Sequence, residues 1–117
     1  MAGIENRVKD LVSRNDQNPV GLYSEVETID SSSTTTVQVE PGVIYLVDAS
    51  NASVTMELPT SNDELKISTI KKTDATGNTV DVTTPGSETI DGNSSLSIGS
   101  QYTAREVVND GSNYFIV

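Results

Sequence analysis

Oxygen-bearing side chains alternate in one short stretch of the chain, Asp74-x-Thr76-x-Asn78, with Asp81 shortly after it. Alternating oxygen ligands are typical of calcium-binding loops. In the EF-hand pattern, however, glycine occupies the sixth position and an acidic residue the twelfth, and neither stands there in this stretch. A hairpin turn through Thr-Gly-Asn accounts for the same residues. We therefore predict a turn here, with no metal ion bound.

Two groups of neighbouring carboxylates, Asp63 with Glu64 and Glu88 with Asp91, offer the residue type that glycoside hydrolases use in pairs. That chemistry needs two carboxyl groups at a fixed separation, which spacing along a chain does not establish. The sequence contains no His and no Cys, so it has no Ser-His-Asp or Cys-His nucleophile system and no conventional zinc, copper or haem site. We predict that the carboxylates are solvated charge, and that the protein is not an enzyme and holds no cofactor.

Lys71 and Lys72 form the basic cluster of the chain outside its N-terminal segment. They fall at the end of a predicted strand that enters a turn, where lysine commonly protects a sheet edge. The alternative is a contact with a neighbouring subunit or with an anionic glycan. Lys71 and Lys72 are therefore retained as candidates for a trimer contact or an anionic contact.

The chain of 117 residues carries a formal net charge of −10, and 34% of its residues are hydrophobic. The negative excess disfavours nucleic acid as a partner, because binding there depends on neutralising phosphates with Lys and Arg. No apolar run approaches the roughly 20 residues of a membrane span. A single domain with so few apolar residues builds a thin core, and association with copies of itself would supply the missing burial.

The first 17 residues differ from the rest, because they have zero net charge and leave the whole −10 to the remainder of the chain. Apolar residues recur there at helical spacing and predict one stripe of an amphipathic helix. Such a helix of about 12 residues is marginal alone in water. The stripe packs on its own domain, contacts another copy or anchors in a partner, and a disordered tail is the remaining alternative. The candidate capsid or partner contacts are Ile4, Val8, Leu11 and Val12.

From residue 19 onward the pattern changes to a period of two and to short β-rich runs. Residues 43–47 are continuously apolar, which predicts a strand buried on both faces, and residues 54–58 alternate cleanly. The Ser/Thr run at 31–36 is typical of a flexible connector. The five aromatic residues fall mostly in apolar strand runs, where we expect them in the core.

About seven to nine short strands with regular turn signals predict an all-β fold, an antiparallel β-sandwich or a small jelly-roll-like barrel. The short N-terminal amphipathic helix or arm precedes it. We expect residues 1–18 to form a helical segment or anchor, and residues 19–42 to form an arm or connector with the first strands. Residues 43–117 then form the β-sandwich domain.

The sequence from residue 43 to residue 117 resembles a β-rich module that recurs in virion proteins of tailed viruses, as in tail fibres, spikes, head fibres and capsid-decoration (turret) proteins. Several short motifs carry this resemblance by their order and spacing. They are YLVDA (45–49), VTMELP (54–59), IKKTDATGNTV (70–80), ETIDG (88–92) and DGSNY (110–114).

This resemblance implies a homotrimeric structural module of a virion, with no catalytic activity. A chain of this length is expected to be a small decoration or turret protein on the outer surface of the capsid. Its partners would be copies of itself and the major capsid protein or other virion proteins, without nucleic acid or membrane. The neutral N-terminal segment and the arm would face the shell, and the acidic β-domain would project into solvent.

The alternative function is a tail-fibre or adaptor knob that binds a glycan of the host surface. Sugar sites favour exposed aromatic residues, and the aromatics expected in the core argue against it. The acidity also suits a protein that stays soluble at high salt, as in a halophilic host, because salt screens the repulsion between surface charges. An ordinary acidic virion surface is the other interpretation.

Overall fold

The computed structural model describes residue 23, residues 25–60 and residues 64–117, and these residues form nine β-strands and no helix. The all-β prediction is therefore confirmed for this part of the chain. The predicted N-terminal helix, with the candidate contacts Ile4, Val8, Leu11 and Val12, lies outside the described residues. The strands are β1 (Glu25–Asp30), β2 (Thr36–Gln38), β3 (Val43–Asp48), β4 (Val54–Glu57), β5 (Glu64–Lys72), β6 (Val80–Thr83), β7 (Ser95–Ile98), β8 (Ala104–Asp110) and β9 (Tyr114–Ile116).

The strands form two sheets, one of five strands in the order β1-β3-β5-β8-β9 and one of four strands in the order β2-β4-β6-β7. Successive strands alternate between the sheets as far as β6, so that β1 with β2, β3 with β4, and β5 with β6 make three stacked coils. Within each sheet the strands of these coils pair in parallel. Antiparallel pairing begins with β7, β8 and β9, which end the stack.

The expected antiparallel pairing needs correction, because four of the seven strand pairings are parallel. The physical reason lies in the turns. Pro41-Gly42 and the turn at residues 50–53 join strands of opposite sheets instead of neighbours in one hairpin. Alternation along a strand indicates which side chains are buried, but it does not specify which strand lies alongside.

The core is one layer of side chains between the two sheets. Its largest members are two tyrosines whose hydroxyls are satisfied by backbone. Tyr45 accepts from the N–H of Glu40 at 2.8 Å, and Tyr114 donates to the carbonyl of Pro59 at 2.6 Å. Burial raises the pKa of both phenols. Apart from Lys72, the other large buried side chains are apolar and come from the inward positions of the strands and from the loops. They are Val47, Val54, Met56, Leu58, Ile70, Val80, Val82, Ile90 and Ile98.

The side chain of Lys72 is fully buried at the end of β5, and its ammonium donates to three oxygens of the turn that follows. The acceptors are the carbonyl of Asp74 at 2.9 Å, its carboxylate Oδ2 at 2.8 Å and the carbonyl of Thr76 at 3.0 Å. The Oδ1 atom of Asp74 accepts from the N–H of Ala49, which follows β3, at 2.7 Å. This Lys72–Asp74 cluster therefore ties the turn after β5 to the preceding coil.

Burial alone would raise the pKa of Asp74, but hydrogen bonds from the Lys72 ammonium and from neighbouring hydroxyl and backbone groups outweigh it. They hold the pKa of this carboxyl well below its usual range. Residues 74–79 do not form the expected hairpin, because β5 and β6 belong to different sheets. The carboxylate that suggested a calcium loop is fully engaged within the protein.

The Ser/Thr run at 31–36 is a structured turn instead of a flexible connector. Asp30 Oδ1 accepts from both the N–H and the hydroxyl of Ser32, which forms a local turn that favours this sequence. Ser31 is buried, and its Oγ accepts from the N–H groups of Asn51 and Ala52 at 2.9 and 3.3 Å. The first coil is thereby attached to the second at this corner.

We predict that Lys72→Met lowers the free energy of unfolding by about 3–5 kcal/mol, because it leaves the Asp74 carboxylate buried without its partner. Lys71→Met is the matched control, since Lys71 is half-buried one position earlier and should change stability by less than about 1 kcal/mol. Urea denaturation followed by circular dichroism measures both. Equal losses in the two variants would contradict a structural role for the buried ammonium.

Asp74 should also limit stability in acid. Because its pKa is lower in the folded protein than in the unfolded chain, the unfolded state binds more protons below about pH 4 and stability falls as the pH falls. We expect Asp74→Asn to make the free energy of unfolding fall less steeply as the pH is lowered. Urea denaturation at a series of pH values from about 5 downward measures this slope. A slope identical to that of the original protein would count against the assignment.

Candidate functional site

The two sheets differ sharply on their outer faces, which point away from the core. The outer face of the four-stranded sheet carries two rows of aligned side chains across β2, β4, β6 and β7. Every member is hydroxyl-bearing, amide-bearing or acidic. The rows are Thr36, Thr55, Asp81, Ser97 and Gln38, Glu57, Thr83, Ser95. This side of the molecule is built for contact with water.

The outer face of the five-stranded sheet is largely apolar. Three of its aligned rows together hold one lysine and one glutamate, and most of their other members are aliphatic or aromatic, while the next outward pair, Asp30 with Asp48, borders them. We call the three rows together the apolar face. They are Val26, Ile44, Thr69, Glu106; Thr28, Leu46, Lys71, Ala104; and Ile67, Val108, Phe115.

Several apolar side chains of this side are well exposed at its margins. Val26, on the edge strand β1, is 60% exposed, and Phe115, on the opposite edge strand β9, is 41% exposed. Towards the centre, Ile44 and Leu46 on β3 are half-buried. Exposed apolar side chains beside half-buried ones on one face of a sheet are typical of interaction sites.

Tyr23 brings the chain onto the apolar face before the first strand begins. Its hydroxyl donates to the carboxylate of Glu106 and lies 2.5 Å from the hydroxyl oxygen of Thr69. Both partners belong to the row that also contains Ile44. Partial burial, together with the hydrogen bond to the Glu106 carboxylate, raises the pKa of the Tyr23 phenol. The side chain therefore fixes where the chain enters the described structure.

The half-buried Lys71, in the second row of the apolar face, pairs with the exposed ring of Tyr102 beside that face. The ammonium of Lys71 lies 5.6 Å from the centre of the Tyr102 ring, within cation–π range. Tyr102 is 64% exposed and has a backbone φ of +65°, which is unusual for a large side chain. Such conformations concentrate at functional sites, because the surrounding structure has to impose them.

The structure separates the two lysines that the sequence placed together. Lys71 points outward on the apolar face and remains a candidate for a trimer or anionic contact. Lys72 is buried, and Asp74 and Thr76 accept from its ammonium. The expectation for Lys72 is therefore corrected, because strand alternation turns consecutive residues to opposite sides of the sheet.

The expectation that the aromatics belong to the core holds for Tyr45 and Tyr114 and is wrong for Tyr102 and Phe115. For Phe115 the signal was the alternation of a strand. Because its neighbour Tyr114 faces inward, Phe115 has to face outward. For Tyr102, the preceding Gly-Ser-Gln signals a turn instead of a strand. Three of the five aromatics, including Tyr23, thus lie on or beside the apolar face.

An open groove of about 380 Å³ lies at the end of the stack that is formed by the first coil, β1 with β2. Its lining includes Glu25, Glu27 and Glu40 together with Val43 and Tyr45. Across the described ranges, no cluster of three or more acidic, histidine or cysteine side chains is arranged to hold a metal ion. The carboxylates give this end of the molecule a negative surface, which opposes stacking of a second acidic copy onto β1 and β2.

Comparisons with known proteins do not assign the chain to a family. No protein-family model matches the chain, and no curated protein matches it. Residues 25–60 and 64–117 also include no helix with the length and apolar character needed to cross a membrane.

We predict that Tyr23→Phe lowers the free energy of unfolding by about 1–2 kcal/mol, because it removes the hydrogen bond to a charged carboxylate. Tyr102→Phe is the matched control, as its largely exposed side chain should change stability by less than about 0.5 kcal/mol. Thermal and urea unfolding measure both variants. If the two losses are the same, the Tyr23 hydroxyl does not hold the chain on the apolar face.

Proposed function

We propose that this protein is a virion structural protein, a homotrimeric decoration or turret protein attached to the outside of a capsid. The observation that carries the proposal is the contrast between its two outer faces. One side presents three rows of mostly apolar residues with carboxylates at their border, and the aligned rows of the other side consist of hydroxyl-bearing, amide-bearing and acidic side chains. A protein fixed to a surface needs one side for its neighbours and another for solvent.

Charge is sparse within the apolar face itself. The chain as a whole carries −10, but the three rows hold one glutamate and one lysine, and the outward carboxylates Asp30, Asp48 and Asp110 of the same sheet lie at the ends of their strands. Interfaces between proteins are depleted in charge at their centre and enriched in aromatic residues. The apolar face, with Tyr23, Phe115 and neighbouring Tyr102, has that composition.

Under this proposal, the exposed margins of the apolar face are the contacts with copies and with the shell. Phe115 and Val26 lie at opposite margins, and Tyr102 with Lys71 lies beside the second row. Large rings in this position can bury much area at little cost in conformational entropy. We also propose that the acidity suits a halophilic host, because negative charge on the solvent side would keep the protein soluble at high salt.

A second candidate function, a tail-fibre or adaptor knob that binds host glycan, is favoured by one observation. Tyr102 is an exposed ring held at positive φ beside a cation, and sugars stack on exposed aromatic rings. Imaging of labelled protein on the particle separates the two proposals, because decoration predicts density over the head and a knob predicts density at the tail tip.

We predict that the isolated protein has three times the 12.4 kDa mass of one chain in light scattering at micromolar concentration. Phe115→Glu should weaken this association about tenfold or more, because an interface would then bury an unpaired carboxylate. Thr83→Glu, which adds the same charge to the opposite outer face, should leave the mass unchanged.

Particle binding of the same two variants extends the test, with occupancy expected to fall for Phe115→Glu alone. A mass of 12.4 kDa for the original protein would remove the trimer from the proposal. If both variants had equal effects, the margin of the apolar face around Phe115 would not be the interface.

A further inference from the structure

We propose that the open end of the stack, formed by β1 and β2, binds an extended basic segment of a partner protein. In the described part of the chain, β1 pairs only with β3 and β2 only with β4. The segment would add one strand beside β1, with alternate Lys or Arg side chains reaching into the groove between the two sheets. This surface is separate from the apolar face, so the proposal does not depend on the proposed function.

The outer edge of β1 offers backbone groups for a further strand. The N–H of Ser31, directly after β1, donates to the carbonyl of Asp48 on β3 at 3.0 Å. Backbone groups along a strand point to alternate sides, so those of Val26 and Thr28 point away from β3, towards the open edge. An edge of this kind takes up an extended peptide through main-chain hydrogen bonds.

The inward side chains of β1 specify the charge of that peptide. On β3, the inward positions Val43 and Tyr45 are apolar and buried. The positions paired with them on β1 are Glu25 and Glu27, and both are exposed. An apolar strand added here would bury two carboxylates without partners. A strand with Lys or Arg at alternate positions would instead form charge-assisted hydrogen bonds with them.

The groove itself suits long cationic side chains, because it combines apolar surface with carboxylates. Its lining includes Val37, Val43 and Tyr45, and Glu40 adds a third carboxylate to the two of β1. After burial, the negative charges of these three carboxylates also raise the pKa of the Tyr45 phenol, which indicates that all three lie near its hydroxyl. Lysine and arginine cover apolar surface with their aliphatic stems while their charged ends reach such carboxylates.

A second copy of this chain does not offer the complementary surface. Its own open end has the same carboxylates, which repel those of the first copy. At the opposite end of the five-stranded sheet, residues 89–91 lie along β9. There the N–H of Asp91 donates to the carbonyl of Tyr114 at 3.0 Å, and the N–H of Tyr114 donates to the carbonyl of Thr89 at 2.8 Å. The edge of β9 is therefore already paired.

Fluorescence anisotropy with a labelled synthetic peptide tests the proposal on the full chain at about 0.15 M salt. The probe has about nine residues, with lysine alternating with threonine, and its control has the same composition with the lysines consecutive. We expect the alternating peptide to bind about tenfold or more tightly than the control, because alternate side chains of a strand share one side. Equal affinity of the two peptides, or no binding of the alternating one, would overturn the proposal.

Charge variants of the protein locate the binding site. Glu25→Gln together with Glu27→Gln should weaken binding of the alternating peptide about tenfold or more, because both carboxylates would pair with its lysines. The matched control, Asp48→Asn together with Asp81→Asn, removes the same charge away from the groove and should change the affinity less than about twofold. Equal losses in the two double variants would overturn the assignment to the open end.

Two modified peptides test the edge pairing without altering the protein. One is N-methylated at every lysine and the other at every threonine, so that each lacks the N–H donors along one of its edges. We expect one form to lose about tenfold or more in affinity and the other to keep it, because a single edge of the added strand faces β1. Unchanged affinity of both forms would overturn the proposal, since charge alone would then explain the binding.

Light scattering of the full chain with and without the alternating peptide examines the competing occupant. We expect the mass of the protein assembly to stay the same apart from the bound peptide. A fall in that mass on addition of the peptide would overturn the proposal, because a second copy would then occupy the open end.

Discussion

Apolar side chains are scarce in this chain, at 34% of its residues, and the alternation of each strand decides where they go. Inward positions of both sheets fill a single layer with valine, isoleucine, methionine and two tyrosines. The five-stranded sheet places further apolar residues on its outer face, although the protein has few of them. A domain with so thin a core gains stability from any cover over that face, and the asymmetry of the molecule follows from this distribution.

The coil arrangement creates a second requirement, because its connections must cross from one sheet to the other without a hairpin. Backbone groups in these crossings need partners when they are buried. Ser31 provides them at one corner through two N–H groups of the next coil, and Lys72 with Asp74 provides them at another. The cluster at Lys72 puts an ion pair where a hydrophobic side chain would otherwise fit, and all three ammonium donors are satisfied.

The strands themselves were predictable from local pattern, since runs such as residues 54–58 alternate as a half-buried strand requires. The pairing was not, because β3 and β5 are neighbours in space while β4 lies between them in sequence and belongs to the other sheet. The site was predictable only in part. Lys71 and Lys72 look equivalent in a sequence, and strand alternation alone, once the register is known, makes one a surface cation and the other a core residue.

Carboxylates stand on the outer sides of both sheets, but they are placed differently. On the four-stranded sheet, Glu57 and Asp81 lie within the aligned rows. On the five-stranded sheet, the outward pair Asp30 and Asp48 follows the row of Thr28 and Leu46 at the ends of β1 and β3, and Asp110 ends β8. Repulsion between acidic copies therefore acts around the border of the apolar face, and the apolar rows inside that border are where two molecules can approach at the lowest electrostatic cost.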